Sequence, residues 1–392
     1  MRRVLVVINN TGIGGTERRL GRLFARMAAE RKDTVFVLNR DLWARLVAGG
    51  AIQGEGPRII PLWAPFTALS RWLGFLRRVS FWIGKIDYAL FACWFLCRYG
   101  FGEAKMFHVA LGGVYVVLPL MMLRPFHPVV MSVTDPNLAG HVGSKWALPW
   151  FVAALKRSHS IDVLTEDIRT SVLAKAIDPA RVVLSPGSVV DATRFRPDPE
   201  KESWVVFAGR LVDEKNPCLF LESIPMIQAA VPQARFFLLG NGPLKGAVAR
   251  LVAKLGLGDV VTIGFRDDLA SIFARGMVFV SLQRRDNYPS QVLLEAMAAG
   301  MASVATNVGQ TFRLIDGETG IRVASQPHEV SRAVASLLAH PERCARLGAA
   351  ARRRVMALHS EERYRAYLDE LHRRVEDRLD EEASVGAHAS KL

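Results

Sequence analysis

Cysteine is scarce: there are four in 392 residues. Cys93 and Cys97 lie one helical turn apart, and Cys218 and Cys344 stand alone, so the chain has neither a disulfide framework nor a zinc-ligand spacing. A reducing compartment is expected, with a fold held by its apolar half (50% of residues). No G-K-[ST] follows a Gly-rich turn, which excludes a Walker loop, and no Ser-His-Asp set stands out. Residues 59–100 hold no uncharged apolar run of about 18, which argues against a membrane-spanning helix there. The opening M-R-R-V-L-V-V-I-N-N reads as a first strand, too short for a signal peptide. Acidic residues are also thin in the first half: residues 1–190 carry 12 against 24 Lys and Arg, whereas the remainder carries 25 against 27.

Most of the net charge of +14 therefore sits in the first half, together with seven of the eight tryptophans. That pairing suits an anionic membrane surface better than nucleic acid. Within 59–100, Trp63, Trp72, Trp82 and Trp94 are interleaved with Arg71, Arg77, Arg78 and Lys85, the composition of an interfacial amphipathic segment. The alternative is a helical insertion whose aromatics are core.

The length predicts two domains, each able to bury its own core. Apolar runs at Val4–Ile8, Thr34–Leu38, Phe107–Ala110, Val129–Val133 and Ile161–Leu164 alternate with helical patterns, the first marked by Leu20, Leu23, Phe24, Met27 and Ala28. After a Pro- and charge-rich linker the pattern restarts with Trp204–Ala208, Arg235–Leu239, Val260–Ile263 and Val278–Leu282. Such alternation predicts α/β architecture: two Rossmann-like, doubly wound parallel-sheet domains facing across a cleft. The expected division is 1–190, a linker 191–203, a second domain 204–360, a final helix 361–378 and a frayed tail 379–392.

The most informative run is D-N-Y-P-S-Q-V-L-L-E-A-M-A-A-G, from Asp286 to Gly300. A buried strand precedes it, and a helix is predicted from Ser290 to Gly300 with Val292, Leu293, Ala296 and Met297 inward. Its N-terminal amides offer an anion site, with Ser290 and Gln291 at the start and Glu295 one turn further in. A carboxylate behind an anion site fits a diphosphate flanked by sugar hydroxyls. Elsewhere, Gly14 and Gly15 let backbone amides approach a phosphate or acceptor. Gly240 and Gly242 form a tight turn after a strand, and Gly264-Phe265-Arg266 ends another beside a place for a nucleotide base.

Five pieces in order, N-N-T-G-I-G-G-T-E-R-R (9–19), S-P-G-S-V-V-D-A-T-R-F-R-P (185–197), G-R-L-V-D-E-K-N-P (209–217), L-L-G-N-G-P (238–243) and the run above, resemble the family-4 retaining glycosyltransferases (group 1) of the GT-B fold. The resemblance spans nearly the whole chain. It implies that Arg210 and Lys215 grip a diphosphate, that Glu295 holds ribose hydroxyls, that no metal or cofactor is needed, and that the last helix joins the first domain. The sequence departs from the family at two places. The first Glu of the E-x7-E signature is Asn287, with Asp286 before it. Thr134 and Asp135 stand where the family often has a His, so Asp135 either orients donor or acceptor or opens a turn. His108 ends a strand and is a further, weaker candidate for facing the cleft, although a lone histidine is more often structural.

The expected function is transfer of a sugar, with retention, from a nucleotide-sugar donor to a lipid-linked or polysaccharide acceptor. The expected place is cytoplasmic, peripheral at the inner face of the membrane. Two other classes remain open: a catalytically degenerate sugar-nucleotide-binding protein, and a sugar-nucleotide epimerase.

Overall fold

The computed structural model describes residues 3–8, 15–50, 52, 56–62, 90, 93–94, 97, 106–111, 127–134, 138, 148–266 and 268–389. Gly14, Asp135 and most of the 59–100 segment lie outside the described residues. The chain forms two compact units, Met1–Gly187 with Arg365–Leu392, and Ser188–Tyr364.

The first unit is built on β1 (Val4–Ile8), β2 (Thr34–Asn39), β3 (Ile59–Leu62), β4 (Met106–Leu111), β5 (Val129–Val133), β6 (Ser160–Val163) and β7 (Val182–Leu184). All are parallel, in the order β3-β2-β1-β4-β5-β6-β7. The central strands are buried on both faces, which is why they read as continuous apolar runs rather than alternating ones. Helix α1 (Gly15–Glu30) buries Leu20, Leu23, Phe24, Met27 and Ala28, the positions its spacing predicted. Asn39 caps α2 (Arg40–Ala48) by accepting from the Leu42 amide at 2.7 Å. Thr165 does the same at 3.3 Å for the Ile168 amide of α4 (Glu166–Leu173), which follows α3 (Leu148–Arg157).

The second unit orders its six parallel strands β10-β9-β8-β11-β12-β13. They are β8 (Glu202–Ala208), β9 (Arg235–Leu239), β10 (Val261–Gly264), β11 (Gly276–Ser281), β12 (Ala302–Thr306) and β13 (Gly320–Val323). The period of two divides β8 between two cores. Val205 and Phe207 pack with α5 (Pro217–Ala230), α6 (Lys245–Lys254) and α9 (Pro327–Leu338). Val206 and Ala208 face the opposite layer of α7 (Ala270–Arg275), α8 (Gln291–Ala298) and α10 (Pro341–His359). Strand order reverses between β8 and β11, and in doubly wound sheets ligands bind beyond the strand C-termini at such a switch point.

Two boundaries differ from the sequence reading. Ser188–Val190 belongs to the second unit because the Val190 amide donates to His359 O at 2.9 Å and Ser188 Oγ donates to Gln291 Oε1 at 2.6 Å. The final helix α11 runs Glu361–Ala389, well into the expected frayed tail, since Glu and Ala are good helix formers and no proline intervenes. From Arg365 onward α11 packs with the first unit: Asp369 pairs with Arg31, and Arg378 donates to the carbonyls of His159 (3.2 Å) and Ala180 (3.1 Å).

Candidate functional site

Beyond β8 the chain turns at Gly209, whose φ of +152° suits glycine, and presents an exposed Arg210. A single 3-10 turn, Asp213–Lys215, follows, and Asn216 takes the left-handed conformation (φ 53°) just before α5. Lys215 is half-buried, and its Nζ donates to Gln283 Oε1 at 2.9 Å. Burial, with the Arg210 charge nearby, lowers the Lys215 ammonium to about 8, against the weaker upward pull of Glu214.

Gln283 comes from the neighbouring strand. It sits two residues past β11, is buried, and donates through Nε2 to Ser290 Oγ (3.3 Å) and Ser281 Oγ (3.4 Å). Thr306 Oγ1 fixes its backbone by donating to Gln283 O at 2.7 Å. Arg284 laces the two loops together: its amide donates to Glu214 O at 2.9 Å, its Nη2 to Asn216 Oδ1 at 3.1 Å, and its Nε lies 3.3 Å from Asp213. The loops after β8 and β11 are therefore one structure, at the switch point. Sequence reasoning missed Gln283; its only signal was a polar residue directly after a buried strand.

Helix α8 begins after Ser290, whose hydroxyl faces Gln283 and makes no side-chain cap. The first-turn amides therefore keep their direction along the helix axis, toward the strand C-termini. Glu295 sits half-buried one turn in and accepts from Gln291 Nε2 at 3.2 Å. Gln291 also donates to Val189 O at 3.2 Å while accepting from Ser188, so it orients Glu295 and holds the 188–189 segment against α8. At the other end Gly300 (φ +68°) stops the helix, and two cations meet its last carbonyls: Arg352 at Ala298 O, and Lys201 Nζ at Ala299 O (2.9 Å).

The remaining candidates divide by role. At Gly240 a Cβ would overlap the Gly209 carbonyl oxygen, and at Gly242 (φ +159°) it would meet the Leu211 backbone. Both glycines thus let the 240–242 turn press against the loop carrying Arg210, joined by Leu211 N to Asn241 O at 2.9 Å. Phe265 is 60% exposed at the end of β10. Asp286 accepts from the Tyr288 and Gln310 amides, each at 3.2 Å, and its side chain fills the space beside Gly309. Its carboxylate ties two loops together, which accounts for the Asp without a sugar. Asn287 is exposed, and its amide makes no hydrogen bond among the described residues. Gly15 opens α1. His108 does not face a cleft: it is buried between His372 (3.0 Å) and Ser132 (2.9 Å).

Residues 202–340, the stretch carrying this arrangement, match the family described as glycosyl transferases group 1. The chain is 31% identical over 241 residues to the GDP-mannose-dependent alpha-(1-6)-phosphatidylinositol monomannoside mannosyltransferase of Mycolicibacterium smegmatis, covering 54% of this chain and 63% of that protein. It is 30% identical over 275 residues to the enzyme of the same name from Mycobacterium tuberculosis, covering 61% and 69%. The chain thus spans slightly less than two thirds of the first relative and slightly more of the second. Among solved structures, Anabaena HepE in complex with UDP and glucose superposes with a TM-score of 0.71 at 14% identity, over 94% of this chain and 99% of that one, a likeness of fold. The paired parallel sheets are those of the GT-B architecture, and the chain belongs to the group 1 glycosyl transferases.

Proposed function

We propose that the protein transfers a hexose, with retention, from a nucleoside-diphosphate sugar to a lipid-linked or glycan acceptor at a membrane surface. The observation that carries this reading is the pairing of Lys215 with Arg210 on one side of the switch point and the α8 N-terminus with Glu295 on the other. Positive charge of two kinds, side-chain and backbone-dipole, meets where a diphosphate would leave. Glu295, one turn behind, suits ribose hydroxyls. Asn287 replaces a carboxylate at the tip of its loop with a neutral donor and acceptor for the transferred sugar. Relatives' names supply the acceptor class: the mycobacterial enzymes act on a phosphatidylinositol mannoside.

In the step itself the acceptor oxygen bonds to the anomeric carbon on the face from which the phosphate oxygen departs. The acceptor proton passes to that departing oxygen. Arg210 and Lys215 stabilise the charge that develops there, and the reading assigns no metal and no cofactor. It also assigns no nucleic-acid partner, and it places the chain at the cytoplasmic face of the membrane. No helix among the described residues is long and apolar enough to cross a membrane. Leu90, Cys93, Trp94 and Cys97, helical and at i, i+3, i+4 and i+7, are all exposed and form an apolar stripe suited to the headgroup region.

The test is a thermal-shift and product screen over UDP-, GDP- and dTDP-sugars with the wild-type chain and Glu295→Gln. A donor that raises the wild-type Tm, is turned over, and binds about tenfold more weakly to the variant supports the reading. Binding without product would make this a binding protein. No stabilisation by any of the donors would end the assignment.

A further inference from the structure

The amide of Gln283 is fixed in one orientation. An ammonium only donates, so the oxygen must face Lys215, and the Nε2 end then meets the two hydroxyls of Ser281 and Ser290, which can accept. Its backbone is held by Thr306. Segments following or ending three neighbouring strands therefore supply the parts that aim one lysine: the loop after β8 carries it, the loop after β11 carries the amide, and the end of β12 pins that amide. Ser290 is also the residue from which α8 starts, so the same amide sets the lysine in register with the helix N-terminus.

We propose that Gln283 is a positioning residue for sugar transfer: it aims the Lys215 ammonium at the departing diphosphate while leaving its charge intact. The inference rests on the donor-site reading above and adds a residue outside the motif pieces that led to it. The choice of a neutral acceptor is the physical point. A carboxylate at 283 would satisfy the same geometry but would pair with the ammonium and compete with the phosphate oxygens. An apolar side chain would leave the half-buried ammonium without its acceptor. The charged groups acting on Lys215 are Arg210, which disfavours the ammonium, and Glu214, which favours it. Gln283 is the neutral member of that set, so changing its charge should move the lysine's titration in a predictable direction.

The experiment compares full-length wild type, Gln283→Glu and Gln283→Met, using UDP and GDP as probes in calorimetric titrations from about pH 6.5 to about pH 9.5. The Lys215 ε-carbon is followed by NMR over the same range in the free proteins. Wild-type affinity should fall as pH rises through about 8, where the ammonium is lost. In Gln283→Glu the NMR midpoint should move up by about one unit or more, with nucleotide affinity near neutral pH reduced about tenfold by competition. In Gln283→Met the midpoint should move down, and affinity should fail earlier. If all three chains share one midpoint and the variants are only uniformly weaker, Gln283 is a packing residue and the proposal is wrong. If the wild type binds neither nucleotide at any pH, the donor-site reading fails, and this inference with it. Should the Glu variant not fold, the Met variant and its NMR midpoint carry the same decision.

Discussion

His372, on the last helix, lies 3.0 Å from His108, in β4, and both rings are buried. The partners fix the proton arrangement. Ser132 Oγ donates to Asp162 Oδ2 at 2.8 Å, so it accepts from His108 Nε2 at 2.9 Å. That leaves His108 Nδ1 as an acceptor, and His372 Nε2 must donate to it. Tyr367 completes the chain by donating to Asp162 Oδ1 at 2.5 Å. Five side chains thus join α11 to three adjacent strands of the first unit, and the arrangement requires His108 to be neutral, while burial disfavours the charged form of His372.

Acid should therefore loosen this unit. Burial holds His108 well below the usual histidine range and His372 at about 4. With folded values below the unfolded one, the unfolded chain takes up protons that the folded chain refuses. Stability is full above about pH 6.5 and falls toward about 4, by an order of 3 kcal/mol for His372 alone. Asp162, raised by burial, acts in the opposite sense, gaining stability as pH falls through its folded value. Tm measured across this window should decline in the wild type and decline distinctly less in His372→Gln. Parallel slopes would show that the histidine pair does not control it.

Much of the fold was legible because parallel sheets bury both faces of their inner strands, and runs such as Val4–Ile8 and Arg235–Leu239 coincide with β1 and β9. Helix α1 was legible from its 3.6-residue spacing. The strands that escaped are short edges, such as β7 and β13, or made of small residues: β12 is A-S-V-A-T, fully buried yet without a branched apolar run. The site divided in the same way. Arg210, Lys215 and Glu295 stand in motif pieces, whereas Gln283 acquires its role from Lys215, 68 residues earlier in the chain. His108 was a weak cleft candidate, a lone histidine being more often structural, and its structural partner lies on a helix 264 residues away that the sequence alone does not bring near it.

Arg210→Ala and Lys215→Ala should each lower turnover by about 100-fold or more while leaving Tm nearly unchanged. Arg210 is exposed and Lys215 only half-buried, so neither is part of the core. Steady-state kinetics with the donor found in the screen, alongside thermal melts, check this. Near-wild-type turnover in either variant removes that residue from the transition-state charge.

Gly240→Ala and Gly264→Ala form a paired test of the loop packing. A Cβ at 240 collides with the Gly209 carbonyl, which is backbone and cannot rotate away, whereas at 264 it meets open space. The first variant should lose about 1–3 kcal/mol of stability and weaken nucleotide binding by displacing Arg210. The second should be close to wild type. Equal behaviour in denaturant melts would mean that the 240–242 turn is not what holds the Arg210 loop.

Vesicle binding tests the surface role of 59–100. The exposed Leu90 and Trp94 lie on one helical face, and Trp63, Trp72 and Trp82 precede them in sequence. Arg71, Arg77, Arg78 and Lys85 would each add up to about 1 kcal/mol near an anionic leaflet. The attraction should weaken as salt rises, since screening already limits its reach to about 8 Å at physiological ionic strength. In flotation assays the wild type should rise with anionic vesicles at low salt, less at high salt, and little with neutral ones. Trp94→Ala should reduce recovery at every salt concentration, because its contribution is apolar insertion rather than charge. Equal recovery on both vesicle types, or none on either, would assign the tryptophans to the protein interior and leave the basic first half to serve some other anionic partner.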